Sequence, residues 1–160
     1  MKESAMTTDF RIPLVHLEIV RDCETTYNKA QVTTERAAAD LFRQVIGRRN
    51  TENLLVCAVD VQKHPVWLQI IGIGTTSHCQ FSIPDIWRAA LISNASGIIV
   101  AHNHPSGRID PSAEDIRVTE KMIAAGKVIG LPLIDHVIVT ENNSYSFRTE
   151  MSDLWDQPID

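Results

Sequence analysis

Residues 98–101 read Ile98, Ile99, Val100 and Ala101, with Gly97 before them and His102 after. An apolar run of this kind, without alternation, is a strand that has to be covered on both faces. The rest of the chain must therefore supply amphipathic helices to lie above and below a sheet. Thr34 precedes a pattern in which Ala37, Ala38, Leu41, Phe42, Val45 and Ile46 recur at three- and four-residue spacing, ended by Gly47. Pro84 opens a second helix with Ile86, Trp87, Ala90 and Leu91 as its buried stripe, stopped by Asn94 and Gly97. A third runs over 112–128, followed by Gly130, Pro132 and a strand at 133–140.

Two more β-branched-rich runs, 54–61 and 66–73, are separated by Gln62, Lys63, His64 and Pro65, the pattern of a hairpin; Gly72, Gly74 and residues 75–77 break the second run. Leu14, Val15, Leu17, Ile19 and Val20, interrupted by His16 and Glu18, predict an edge strand. Asn142 and Asn143 predict a turn into a short strand at 145–147. The alternation predicts an α/β fold, a mixed β-sheet flanked by helices in layers. The 160 residues suit one core, and no linker or repeat divides them. Residues 1–12 read as a flexible N-terminal tail, 13–150 as a single domain and 151–160 as a C-terminal tail. A site in such an architecture is expected beyond a strand end.

Charge narrows the function classes. Fifteen Lys and Arg against 20 Asp and Glu give −5 with neutral histidines, without the cationic excess that counterion release from phosphates uses. DNA is thus a partner that the net charge does not support. Cys23, Cys57 and Cys79 are odd in number and form no CxxC pair, so neither a disulfide framework nor a four-cysteine zinc site is indicated, and a cytoplasmic chain is expected. No apolar run has the length of a membrane span, and residues 1–9 are too polar for a signal peptide.

The chemistry concentrates between His102 and Asp115. Side chains two apart on extended backbone project to one side, so His102 and His104 can converge on a metal ion while Asn103 points away. Pro105 cannot continue a ladder and Gly107 permits unusual backbone angles, so the chain leaves the sheet and turns towards the next helix. Asp115 lies one turn into that helix, on the side of Val118, Thr119, Met122 and Ala125, and faces inward. Two imidazoles and a carboxylate, with a place left for water, match the ligand count of a catalytic zinc site, where bound water has its pKa lowered to about 7. Alone, an HxH pair is more often structural, and Ser112-x-x-Asp115 is an ordinary helix-capping pattern. Capping explains neither the two histidines at a strand end nor the turn that joins them to the helix.

The string His102-x-His104-x7-Ser112-x2-Asp115 resembles the JAMM motif of JAB/MPN-type zinc metalloproteases. Its wording, His-Asn-His-Pro-Ser-Gly and then Pro-Ser-x-x-Asp, is similar to the RadC-like branch, as are 133–139 and the pair Gly74 and Thr75; the likeness covers about 34–148. It implies a JAB/MPN, cytidine-deaminase-like architecture and Zn2+ held by His102, His104 and Asp115. It also implies Ser112 as donor to the tetrahedral intermediate and an upstream glutamate as general base. Glu52, just before the run at 54–61, matches that position best, ahead of Glu18 and Glu24. RadC proteins commonly carry an N-terminal helix-hairpin-helix region, for which 1–33 is short and wrongly patterned, and this weakens a DNA-binding inference.

Other residues carry blander expectations. His136, beside Asp135 on an apolar strand, reads as a buried, hydrogen-bonded histidine or as support behind the ligands, with Asp135 its neighbour. His16, His64 and His78 read as solvated, Cys57 and Cys79 as core or rim thiols, and Trp67, Trp87 and Trp155 as packing residues. The leading expectation is a zinc-dependent hydrolase of peptide or isopeptide bonds, with a peptide or protein substrate. The alternative is a non-catalytic, zinc-stabilised, DNA-repair-associated module. A nucleobase deaminase would need H-x-E with P-C-x-x-C, which these cysteines do not supply, and the contiguous His-Asn-His does not make a nuclease. Oligomeric state is not legible.

Overall fold

The computed structural model describes residues 13–27, 31–74 and 81–158. The first helix, α1 (Glu35–Ile46), starts where the Thr34 side chain accepts the Ala37 amide proton, and Gly47 closes it. Two strands, β1 (Asn53–Val59) and β2 (Pro65–Ile73), form the antiparallel hairpin. Asp60 ties its turn, with Oδ1 accepting from Gln62 and His64 amides and Oδ2 meeting His64 Nδ1 at 2.9 Å. His64 is therefore partnered rather than simply solvated. Ser82 caps α2 (Ile83–Ile92), which leads into β3 (Gly97–Asn103). Then come α3 (Ala113–Ile129), β4 (Leu133–Val139) and β5 (Ser144–Ser146), with two helical turns, α4 (Phe147–Glu150) and α5 (Asp153–Asp156), at the end.

The sheet order is β2-β1-β3-β4-β5, antiparallel except between β3 and β4. Strands β1 and β3 are buried along their whole length, as an apolar run without alternation requires. One face carries Leu55, Cys57, Val59, Ile99, Ala101, Val137 and Val139 against Leu41, Phe42 and Ile46 of α1. The other carries Leu54, Val56, Ile98, Val100 and Leu133 against Ile86, Trp87 and Ala90 of α2 and Met122 and Ile123 of α3. The result is the layered α/β arrangement expected from the sequence.

Close approach explains one glycine and backbone conformation another. A Cβ on Gly126 of α3 would lie 2.9 Å from Leu131 O and Leu133 N, so only glycine lets the helix lie on the chain entering β4. Gly130 ends α3 in the left-handed conformation, φ 77°. Trp87 Nε1 donates to Leu131 O at 3.0 Å and Trp155 Nε1 to Leu133 O at 2.9 Å, so both rings bolt this corner, in keeping with packing roles.

Several expectations are corrected. The run at 14–20 is not an edge strand: Leu14, Val15, Leu17, Ile19 and Val20 are exposed on chain with no ladder partner among the described residues, so the alternation lacks the neighbour that makes a strand. Leu91 is 57% exposed and lies off the buried stripe of α2. Residues 151–160, read as a tail, include α5, whose Trp155 packs on the sheet-side core. Residues 1–12, 75–77, His78 and Cys79 lie outside the described residues.

Candidate metal centre

The site grows from the end of β3. His102 pairs across to Leu54 on β1 and Ile138 on β4, which places its ring on the α3 side of the sheet with Val100 and Ile98. Asn103, one residue on, projects to the opposite side as the strand pleat requires. It is 1% exposed. Its Oδ1 accepts from the Asn53 amide at 2.8 Å, and its Nδ2 donates to Arg49 O at 3.2 Å and Thr51 O at 3.0 Å. One buried amide thus holds the backbone on either side of Glu52.

His104 leaves the ladder after its amide bonds Val139 O. Gly107, at φ 78°, lets the chain double back so that the Gly107 amide reaches His104 O. The same turn brings Arg108 O to 2.9 Å from His104 Nδ1, which donates to it. In the neutral ring that bond leaves Nε2 with a lone pair. His104 Nε2 lies 3.0 Å from His102 Nε2.

Asp115 arrives from α3. It is the third residue of the helix, and it forms the expected capping box. Ser112 Oγ accepts the Asp115 amide, while Asp115 Oδ2 takes the Ser112 amide at 2.7 Å and the Ser112 hydroxyl at 2.6 Å. Capping does not exhaust the carboxylate. Oδ1 stands 3.3 Å from His102 Nε2, and Oδ2 is 3.7 Å from His104 Nε2. The ligand atoms of His102, His104 and Asp115 all lie within 4.8 Å of one another, the one such metal-competent group of His, Cys, Asp or Glu among the described residues. Two imidazole nitrogens and a carboxylate facing one another make a cluster of acceptors, which a divalent cation satisfies and a neutral environment does not.

Electrostatics agree with the geometry. Burial pushes His102 down to about 4, against the opposing charge of Asp115. His104 is raised, first by its hydrogen bond to Asp115, with a smaller contribution from the charge of Glu52. Burial on its own would raise the Asp115 carboxyl, but His104, the charge of His102 and the Ser112 bonds together hold it well below the usual carboxylate range. Burial thus favours the unprotonated form of His102, while the ionised acid beside it favours the charged form of His104.

The remaining predicted residues fall as follows. Glu52 stands half-buried just before β1, its carbonyl accepting the Gly74 amide at 2.8 Å, on the side from which its charge reaches His104. Glu18 and Glu24 lie on the exposed segment before α1 that is neither helix nor strand. Ser112 is exposed, and its hydroxyl is engaged with Asp115. His136 is fully enclosed behind His102, its Nε2 2.8 Å from His102 Nδ1, its Nδ1 2.7 Å from Thr119 Oγ1, and its ring stacked on Phe147. The supporting position anticipated for it is where it lies. Thr119 was visible only as one of the residues on the inward side of α3. Cys57 is buried, its thiol pushed up to about 12 by burial, and is inert.

Asp135 is not the partner of His136. Asp135 and His136 follow one another on β4 and so face opposite sides of the sheet, while the register passes from Ile98↔Leu133 to Ile99↔Asp135 and makes Ile134 an extra residue. Asp135 instead accepts from Ser146 Oγ at 2.7 Å and from the Arg148 amide at 2.9 Å, securing the start of α4. At 7% exposure its carboxyl is pushed up from 3.8 to about 6 by burial. The folded chain then holds this proton more tightly than the unfolded one, so stability falls as pH rises through that window and is level above it. The penalty on the ionised form is about 3 kcal/mol. Asp135→Asn, which cannot ionise, should gain on the parent by up to ~3 kcal/mol between about pH 4 and pH 7.5. Urea unfolding at both pH values measures it, and a difference independent of pH would contradict the assignment.

A layered α/β domain with a His-His-Asp cluster where a buried strand meets the next helix defines a class of domain that could hold a metal ion at the mouth of the sheet. The profile of the RadC-like JAB domain matches residues 32–152, and the chain belongs to that family, whose JAB/MPN fold its five-stranded mixed sheet shares. Similar proteins include a UPF0758 protein of Trichormus variabilis, 36% identical over 128 residues, covering 80% of this chain and 52% of the relative. A UPF0758 protein of Trichodesmium erythraeum is 33% identical over 127 residues, 79% of this chain and 52% of the relative. One of Thermotoga maritima is 39% identical over 99 residues, 62% of this chain and 45% of the relative. The chain spans about half the length of the curated relatives it matches. No helix among the described residues is long and apolar enough to cross a membrane.

Proposed function

We propose that this chain is a zinc-dependent hydrolase of peptide or isopeptide bonds. The observation that carries the reading is the convergence of His102 Nε2, His104 Nε2 and the Asp115 carboxylate at a strand end, three ligands and not four. Zinc bound there would supply Lewis acidity towards the scissile carbonyl and acidify a water. The protein residues divide the remaining work. Glu52 takes the proton of the attacking water and delivers it to the leaving amine, which suits an acid held by its backbone on the His104 side of the site. The Ser112 hydroxyl, once released from Asp115, donates to the oxyanion. Asp115 orients both rings as well as binding. The partner in this reading is a peptide or protein substrate, and the net charge of −5 lends DNA no support. The unpaired thiols Cys23 and Cys57 suit the cytoplasm.

The test is the metal content of protein purified without added metal, beside His104→Ala, followed by turnover of peptide and isopeptide substrates. Near-stoichiometric zinc in the parent, lost in His104→Ala, together with cleavage by the parent alone, is the expected result. A parent with no bound metal overturns the reading. Stoichiometric zinc, no cleavage and unfolding on chelation would establish the non-catalytic module instead.

A further inference from the structure

The hydrogen-bond chain behind His102 ends on a group that can only accept. Thr119 Oγ1 lies 2.6 Å from the carbonyl oxygen of Asp115, and a carbonyl has no proton to give, so the single hydroxyl proton of Thr119 is spent there. The contact of 2.7 Å between Thr119 Oγ1 and His136 Nδ1 must then be donated by the ring. His136 is 1% exposed and its two ring nitrogens meet only the Thr119 hydroxyl and the His102 ring, with no carboxylate bonded to it among the described residues, the setting of a neutral imidazole. A neutral imidazole that carries its proton on Nδ1 has a lone pair on Nε2. That lone pair stands 2.8 Å from His102 Nδ1, so His102 Nδ1 donates and its own proton is fixed there. The consequence reaches the site: His102 Nε2, the atom facing His104 and Asp115, is left as the lone pair.

From this directional chain we infer that Thr119 and His136 are positioning residues that set the ring tautomer of His102, so that its Nε2 is ready to bind metal in the metal-free protein. The inference rests on the metal-centre reading proposed above. Phe147 stacks on His136 with ring centroids 4.8 Å apart and planes 6° from parallel, which holds the ring in the orientation that aims Nδ1 at Thr119 and Nε2 at His102. His104 obtains the same tautomer from a loop carbonyl, Arg108 O. His102, 2% exposed, takes it from a side-chain relay, which begins on the backbone of the third ligand. Without the Thr119 hydroxyl, His136 Nδ1 faces no acceptor. Its proton moves to Nε2, His102 Nδ1 must then accept, and the His102 proton is left on the nitrogen the metal needs. Outer partners of metal-binding histidines are commonly worth 10- to 100-fold in affinity.

The experiment compares the full chain with Thr119→Val and Thr119→Ser. Zinc affinity is read by competition with a chromophoric chelator, and the ring tautomers of metal-free protein by two-bond 15N–1H correlation NMR near pH 8. Expected are Nδ1–H tautomers for both His102 and His136 in the parent, a 10- to 100-fold weaker zinc affinity in Thr119→Val with a redistributed tautomer, and recovery to near the parent in Thr119→Ser. The NMR of the parent decides even if Thr119→Val does not fold. A parent His102 protonated on Nε2 overturns the inference, as does a Thr119→Val protein with parental tautomers and affinity within twofold. A parent that binds no zinc yet shows both Nδ1–H tautomers would remove the metal reading and leave the relay standing.

Discussion

Glu52→Gln should retain zinc at the parental stoichiometry while turnover falls by about 10²- to 10⁴-fold, the usual range for loss of a positioned proton carrier. Glutamine keeps the size and hydrogen-bonding reach of the side chain and removes only the capacity to take a proton. None of the three convergent ligand atoms belongs to Glu52, so metal content and activity should separate in this variant, whereas in His104→Ala they fall together. Metal content by atomic absorption and initial rates on one substrate are the paired measurements. A Glu52→Gln protein cleaving at the parental rate would transfer the proton-carrying role to another acid.

Asn103→Ala should lower the stability of the fold by about 2 kcal/mol, although the Asn103 side chain contacts neither a ligand nor the substrate side of the sheet. Its amide bonds Asn53 N, Arg49 O and Thr51 O. Thr51 O also receives Asn53 Nδ2 at 2.6 Å and stays satisfied without it. The buried Asn53 amide is orphaned, at a cost of about 1–3 kcal/mol, while Arg49 O belongs to an exposed residue and can be met by water. Urea unfolding with an unchanged slope would report the loss. Because residues 49–53 are the segment released, turnover should fall as well while zinc is kept. A cost below about 1 kcal/mol would mean that the segment is held from elsewhere.

Much of the site was legible because its geometry is local. The separation of His102 and His104 by one residue of strand, and of Ser112 and Asp115 by one turn of helix, fixes which side chains share a side before any tertiary contact is known. The three-layer arrangement was legible for a similar reason, since the burial of β3 on both faces demands helices. What escaped depends on register. Asn103 reaches Asn53 across 50 residues of sequence, and no periodicity in either segment encodes that pairing. The extra residue Ile134 shifts the register of β4 against β3, and such a bulge leaves no mark in the sequence of the strand. The segment at 14–20 has the pattern of a strand without a sheet edge beside it, because alternation describes what a strand needs and not whether a neighbour is there. Leu91 shows the same limit on a helix, where spacing gives a stripe but not its width.

The double engagement of Asp115 has a thermodynamic corollary. One carboxylate both seals the first turn of α3 and faces the two imidazoles. Fraying at that end, the cheapest opening available to most helices, would here strip a donor from the cation, while a loaded cation would clamp the end shut. Local melting and demetallation would then be two names for one event.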